Sequence, residues 1–326
     1  MTLGFDAPLP RIWAITTGEA GMRSQVLGLG QALGVPFEEK IITARPPFSY
    51  LPPFLLPEPK LAIQDADKIL VPPWPDLVIT CGRRSVYAAL AIRHASRGKT
   101  KLVHIQNPIG AVEAFDLIIS MRHDGVVGDN VLTVDTALHR VTPVKLVEGA
   151  RTWREQFSSL PRPLIGVILG GRNRNYRFTA EIADKLIGQM IGLKKTMGAG
   201  FVITPSRRTE PEIVERFRYF SRNTQGVVLW NGEGENPYFG ILGLADALIV
   251  TADSVSMVSE AIATGKPVAV VSLAGRAKRH EQFINTMIAR GAISRFNGSI
   301  PPGPRERQPD ATAMAVDRIR RLLDRH

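Results

Sequence analysis

ADALIVTADSVSMVSEAIATGKPV, residues 245–268, carries a strand, a turn, a helix and the start of a second strand in one run. Ala247–Val250 is short, apolar and β-branched, as a strand buried on both faces must be. Thr251-Ala252-Asp253-Ser254 is small and hydroxyl-rich, which suits a helix start. The helix Ser256–Thr264 carries Glu260 one turn in and stops at Gly265, after which Lys266-Pro267 leads into the next apolar strand, Pro267–Ser272. A strand, a helix and a strand in one run fit a parallel sheet covered on both faces.

The same rhythm extends outward in both directions. In the second half, strands are expected at Leu164–Leu169, Gly200–Thr204, Gly226–Leu229, Ala247–Val250 and Pro267–Ser272, with helices at Thr179–Lys195, Glu210–Asn223, Tyr238–Ala245, Ser256–Thr264 and His280–Arg290. In the first half, strands are expected at Arg11–Thr16, Leu77–Cys81, Lys101–Gln106, Leu117–Met121 and, more weakly patterned, Val131–Val134, with helices at Met22–Leu33 and Ser85–Arg97. Alternation of this kind predicts an α/β protein of two Rossmann-like, doubly wound parallel-sheet domains, with ligands at the loops that follow the strands and a cleft between the two sheets. The segment Arg140–Leu160 has no strand pattern and ends in Pro161-Arg162-Pro163, so it reads as the link. The expected domains are 1–155 and 156–326, the second ending in an amphipathic helix, Asp310–Arg325, long enough to pack back on the first.

Composition narrows the function classes. The 326 residues are 44% hydrophobic and 22% charged, with 41 Lys and Arg against 30 Asp and Glu, a net charge of +11. Residues 1–155 hold 17 basic and 15 acidic side chains and residues 156–326 hold 24 and 15, so nearly all of the excess lies in the second half. Cys81 is the one cysteine, which excludes an intramolecular disulfide and a multi-cysteine metal or iron–sulfur site; six scattered histidines predict no metal. No apolar run reaches the roughly 18 residues of a spanning helix, and MTLGFDAPLP does not read as a signal peptide. The expectation is a cytoplasmic protein, soluble or peripheral on the inner face of the membrane.

The post-strand loops say where the charge goes. After the strand 164–169 come Gly170, Gly171, Arg172, Asn173 and Arg174, then Arg177; after 200–204 come Ser206, Arg207 and Arg208; after 267–272 come Arg276, Lys278 and Arg279. Cations crowded into turns repel one another and call for an anion. Glycine amides and guanidinium forks match phosphate oxygens. Nucleic acid favours basic stripes on helix faces interleaved with aromatics, so charge confined to loops on one sheet edge predicts a small pyrophosphate ligand and no nucleic acid. In the 251–260 stretch, Asp253, Ser254 and Ser256 would line the helix start that holds a phosphate, and Glu260 would accept from ribose hydroxyls. In the first half, Thr17-Gly18-Glu19 turns from strand to helix. The loop is neither G-x-G-x-x-G nor a Walker loop, and it reads as a bare turn or as a turn presenting Glu19 as a general base. His123-Asp124 after the strand 117–121 is a second candidate base, and His104 a third that equally fits a packed, hydrogen-bonded position.

Residues 245–268 resemble the donor half of GT-B glycosyltransferases, and Arg279–Asn285, with Gln282, Phe283 and Asn285, resembles the Gln-aromatic-x-Asn segment of the lipid-linked N-acetylglucosaminyl transferase of peptidoglycan synthesis. Over almost the whole chain, TTGEAGMRSQ (16–25), HIQNP (104–108), GGRNRNYRF (170–178), TPSRRT (204–209) and VTADSVSMVSEAIATGKPV (250–268) resemble the bacterial relatives of the plant "elongated mitochondria" fission family. The resemblance implies a GT-B-like, metal-independent glycosyltransferase with no cofactor beyond its nucleoside-diphosphate sugar. Arg172, Arg174 and Arg207 would hold the diphosphate, Glu260 the ribose, and a lipid-linked or glycan acceptor would be deprotonated by Glu19. Some GT-B enzymes use a histidine in the first glycine loop, and this loop has none. A sugar-nucleotide epimerase of the same architecture is the enzymatic alternative. A membrane-surface adaptor that recruits a dynamin-like partner is the non-enzymatic one. The proline-rich, aromatic run 44–57, including Phe54 and Leu55, reads either as an apolar strap on the first domain or as an element dipping into an anionic membrane interface.

Overall fold

A computed structural model describes residues 9–52 and 58–324. The chain divides into two compact units, one built from residues up to Arg140 together with residues from Pro309 onward, the other from Val141–Gln308.

The first unit holds strands β1 (Ile12–Thr16), β2 (Phe37–Ile41), β3 (Leu77–Cys81), β4 (Lys101–Ile105), β5 (Leu117–Met121) and β6 (Val131–Val134), with helices α1 (Ala20–Leu33), α2 (Ala66–Ile69) and α3 (Val86–Ala95). All strand pairs are parallel and their order is β2-β1-β3-β4-β5-β6. β1 and β3 are buried along their whole length, because helices cover both faces of the sheet. The order reverses between β1 and β3, so the loops after these strands splay apart there and open a crevice at the sheet's carboxyl edge.

The second unit begins with α4 (Pro143–Phe157). Its sheet strands are β7 (Leu164–Leu169), β9 (Gly200–Pro205), β10 (Val227–Leu229), β11 (Ala247–Thr251), β12 (Val268–Val271) and β14 (Ser294–Arg295), and its further helices are α5 (Ala180–Met197), α6 (Pro211–Arg222), α7 (Tyr238–Leu244), α8 (Val255–Ala263) and α9 (Lys278–Ala289). A two-stranded antiparallel ladder, β8 (Tyr176–Arg177) with β13 (Ala274–Gly275), stands apart from the main sheet. The main order, β10-β9-β7-β11-β12-β14, is again parallel and reverses between β7 and β11. One core, with Phe178, Leu186, Phe201 and Phe217, lies under α5 and α6. On the other side α7 approaches α4 so closely that a Cβ at Gly240 would lie 2.5 Å from Trp153 Cδ1.

Two expectations are revised. The segment 140–160 is not a link: α4 occupies most of it, its start capped by Thr142, whose hydroxyl accepts from the Lys145 amide at 3.2 Å. The break falls at Arg140/Val141, before that helix rather than at 155/156. The exposed strand β2 (FEEKI) and the two-residue β14 went unforeseen because edge strands lack the continuous apolar run of their neighbours. The return of the chain end to the first unit is observed. α10 (Ala311–Leu323) buries Ala315 and Ile319 in the core around β1 and α1, and the Thr312 hydroxyl accepts from the His139 amide at 3.1 Å.

Of the strap, Phe48–Tyr50 forms one 3-10 turn, and the Leu51 carbonyl accepts from the Tyr87 hydroxyl at 2.5 Å. Phe54 and Leu55, on which the membrane reading rests, lie outside the described residues.

Candidate functional site

The carboxyl edge of the second sheet is stitched together across its loops. Asp253, whose side chain is 0% exposed, is the knot. Thr251 Oγ1 donates to its Oδ1 at 2.7 Å, the Gly171 amide donates to Oδ2 at 3.3 Å, and Arg208 Nη2 lies 3.0 Å from Oδ2. The Gly170 amide donates to Thr251 Oγ1 at 2.7 Å. Glycine is required here by space: a Cβ at Gly170 would lie 2.1 Å from Asp253 Oδ1, and one at Gly171 2.0 Å from the Arg208 carbonyl oxygen. The Arg172 amide donates to that carbonyl at 2.9 Å, and Thr209 Oγ1 donates to the Gly170 carbonyl at 2.5 Å. Loops after β7, β9 and β11 thus form one body. The β8–β13 ladder ties in the loop after β12, where Gly275 passes so close that a Cβ would lie 2.0 Å from the Asn175 carbonyl oxygen.

These bonds sort the sequence candidates. Asp253 and Arg208 are committed to each other. Asn173 closes its own turn, its Oδ1 accepting from the Asn175 and Tyr176 amides at 2.8 and 3.0 Å while its Nδ2 donates to the Asp253 carbonyl at 3.1 Å. Ser206 Oγ accepts from the Arg208 amide at 3.2 Å. Arg172, Arg174, Arg177 and Arg207 are exposed, and among the described residues none has a carboxylate within 4.0 Å. These four are cations without counter-charge on a preformed edge.

Beside them α8 begins. Ser254 caps it, its hydroxyl accepting from the Met257 amide at 3.4 Å, and Ser256 lies in its first turn. The positive end of α8 therefore points at the β7–β11 reversal, where an anion gains from both the dipole and the free amides. Glu260, one turn further in, is buried and accepts from the Tyr238 hydroxyl at 2.5 Å. Burial, with the Glu260 carboxylate next to it, holds the Tyr238 hydroxyl well above its ordinary range, so it stays a donor. Gln282 and Asn285 lie exposed on α9, and Asn285 Oδ1 accepts from Arg295 Nη2 at 3.1 Å. Lys266, in the motif that ends the decisive stretch, is turned to another task. Its Nζ donates to the Leu242 and Gly243 carbonyls at 2.7 Å each, closing the end of α7, and burial lowers its pKa to about 8.

In the first unit, Glu19 stands at the start of α1, exposed, and accepts from the Thr17 hydroxyl; Gly18 before it sits at φ +89°. This loop follows β1 and lies at the order reversal. The loop after β3, on the other side of that reversal, carries Arg83 and Arg84, paired arginines directly after a strand like those of the second half and an equally legible signal. Arg83 Nη2 donates to the Tyr50 carbonyl at 3.2 Å. His123 and Asp124 form a short 3-10 turn after β5, away from the reversal. His104 is fully buried in β4, with Nδ1 2.8 Å from Thr80 Oγ1, and burial lowers its pKa to about 3. It is a neutral core residue, not a base. An Asp-x-Asp occurs at Asp65-Ala66-Asp67, where Asp65 pairs with Lys68 at 3.0 Å and Asp67 lies 3.8 Å from Lys60.

Two parallel sheets, each with its loops converging at an order reversal, define a protein with the two Rossmann-like domains of GT-B enzymes. Solved structures share this fold. UDP-GlcNAc 2-epimerase from Methanocaldococcus jannaschii, also crystallised with UDP-GlcNAc and UDP, aligns with a TM-score of 0.57 over 97% of this chain and 100% of that one at 13% identity. Acinetobacter baumannii MurG aligns with a TM-score of 0.55 over 96% and 100%, also at 13% identity. A family model described as "Mitochondrial fission ELM1" matches residues 20–323, and the chain belongs to that family. The Arabidopsis thaliana protein named "Mitochondrial fission protein ELM1" is 33% identical over 282 residues, which cover 76% of this chain and 64% of the plant protein. Among the described residues, no helix is long and apolar enough to cross a membrane.

Proposed function

We propose that the second unit binds a nucleoside-diphosphate sugar and that the protein is a metal-independent glycosyltransferase. The observation that carries this reading is the coincidence, at the β7–β11 reversal, of the capped α8 start with Arg172 and Arg174 of the loop after β7, exposed and without a carboxylate partner among the described residues. The α8 amides, Arg172 and Arg174 would hold the diphosphate and stabilise the charge it gains on leaving, so that no metal need supply that charge. Glu260, with one oxygen already on Tyr238, would accept from the ribose. Glu19, exposed at the start of α1, is the proposed base for the acceptor hydroxyl, which a membrane lipid or an envelope glycan would supply.

Arg172→Ala tests the reading. It should weaken binding of a nucleoside diphosphate about ten- to a hundred-fold, the range of one charge-assisted hydrogen bond, and leave the nucleoside nearly unaffected. Calorimetric titration of both ligands checks it. Equal losses for the two would remove the diphosphate assignment, and no binding of any nucleotide would leave the adaptor reading in its place.

A further inference from the structure

Helices α5 and α6 follow successive parallel strands of the second sheet, in the chain order β7-α5-β9-α6-β10, so they run side by side in one direction over the core beneath them. Their outer sides do not close on each other. A groove of about 570 Å³ lies between them, lined by Ile187, Ile191, Tyr219 and Phe220. Ile191 is 38% exposed and Tyr219 73%. An aromatic ring and a branched aliphatic chain held out in water along one groove form a patch, not isolated surface residues.

The outward stripe of α5 beside this groove is self-complementary. Glu181, Gly188 and Lys195 are exposed and spaced by seven residues, about two turns each, so they share one face of the helix. Glu181 and Lys195 have no opposite charge within 4.0 Å among the described residues, whereas the neighbouring Asp184 bonds Arg216 at 2.6 Å. Gly188, midway between them, has nothing within 4 Å of a Cβ, so a second helix can approach closely there. An acid in the first turn and a base in the last suit the helix dipole, but the dipole does not account for the apolar groove alongside.

We propose that this face binds the same face of a second copy of the chain, with the two α5 helices antiparallel across a two-fold axis at Gly188. That axis sets Glu181 of each copy against Lys195 of the other and covers Ile191 and Tyr219 from both sides, as an isologous interface requires. The outer face of two adjacent helices, about 27 Å long and 20 Å wide, would bury about 1,000 Å² in total. This is the lower end for a specific interface, so the dimer should be of micromolar affinity. It is independent of the donor reading.

Sedimentation velocity of the full-length protein up to about 100 µM tests it, a range set by the expected affinity. Glu181→Lys and Lys195→Glu, each alone, place like charges together twice across the axis and should weaken the dimer about ten-fold. Mixed in equal amounts, the two variants regain both pairs and should associate about as tightly as wild type. Tyr219→Glu should weaken the dimer about ten-fold or more, since it puts a charge into the apolar patch. Should that variant fail to fold, the two charge variants, both at exposed positions, decide the matter. A wild-type monomer at the highest concentration overturns the proposal. So does a dimer that the charge variants leave unchanged, and so does a mixture no tighter than either variant alone.

Discussion

The two carboxyl edges of this protein start from the same topological device and are finished in opposite ways. In the second unit, side chains and backbone of three loops are locked to Asp253 and to one another, and the ladder β8–β13 fastens a fourth. In the first unit the Glu19 carboxylate accepts from Thr17 within its own loop, while the loop after β3 sends Arg83 to the Tyr50 carbonyl and brings Gly82 so close to α1 that a Cβ would lie 2.3 Å from Met22 Sδ. A site that holds several like charges has to be built rigid, because cations free to move would separate. Glu19 stands exposed in its turn, as the base proposed above would have to be.

The largest test of this contrast is glycine replacement. Gly170→Ala drives a methyl group into the buried Asp253 carboxylate and should cost at least about 3 kcal/mol, read by denaturant unfolding. Gly18→Ala meets nothing closer than Ile41 Cγ2 at 3.4 Å and bears only its left-handed backbone, about 1 kcal/mol. Equal costs would show the two edges to be equally rigid.

Next is the knot itself. Asp253→Asn leaves Arg208 without its carboxylate and should cost about 2 kcal/mol, because the guanidinium is half-open to water. Nucleotide affinity should fall with it, since the loops after β7 and β9 lose their common anchor.

Acid and alkali should separate the two units. His104 binds a proton near pH 6.5 in the unfolded chain and only near 3 in the folded one, so the unfolded state holds the extra proton between these values. Stability of the first unit should therefore fall as pH drops from 6.5 towards 3, by at most about 1.4 kcal/mol per pH unit, and His104→Asn should flatten the slope. Lys266 in the second unit releases its proton near 8 when folded and near 10.5 when unfolded. Its desolvation penalty is thus relieved as pH rises through that window, and the second unit should gain stability there. Hydrogen exchange resolved by unit checks both signs.

The smallest effect sharpens the claim that glycines at the second edge are there for space. Gly188, exposed in α5, has nothing within 4 Å of a Cβ. Gly188→Ala should stabilise by about 0.5–1 kcal/mol in the same unit where Gly170→Ala is ruinous.

Much of this was legible in the chain. Continuous apolar runs such as Leu164–Leu169 and Ala247–Val250 announce strands buried on both faces, because they are short, rich in β-branched residues and bounded by turn residues. The glycine-and-arginine loops after them, the Ser254 cap and Glu260 were readable for the same reason: they follow strands directly. Edge strands and α4 were not, because they have one wet side and borrow their burial from distant neighbours. Nor could the sequence tell Arg208 from Arg207, adjacent and chemically identical. Only the parallel order β9-β7-β11 sets Arg208 against the buried Asp253 and leaves Arg207 without a carboxylate partner among the described residues. The three histidine and carboxylate candidates for a base looked alike on paper as well. Tertiary burial makes His104 a core residue and leaves Glu19 exposed, and both depend on what covers a residue, which is set by chain segments far away in sequence.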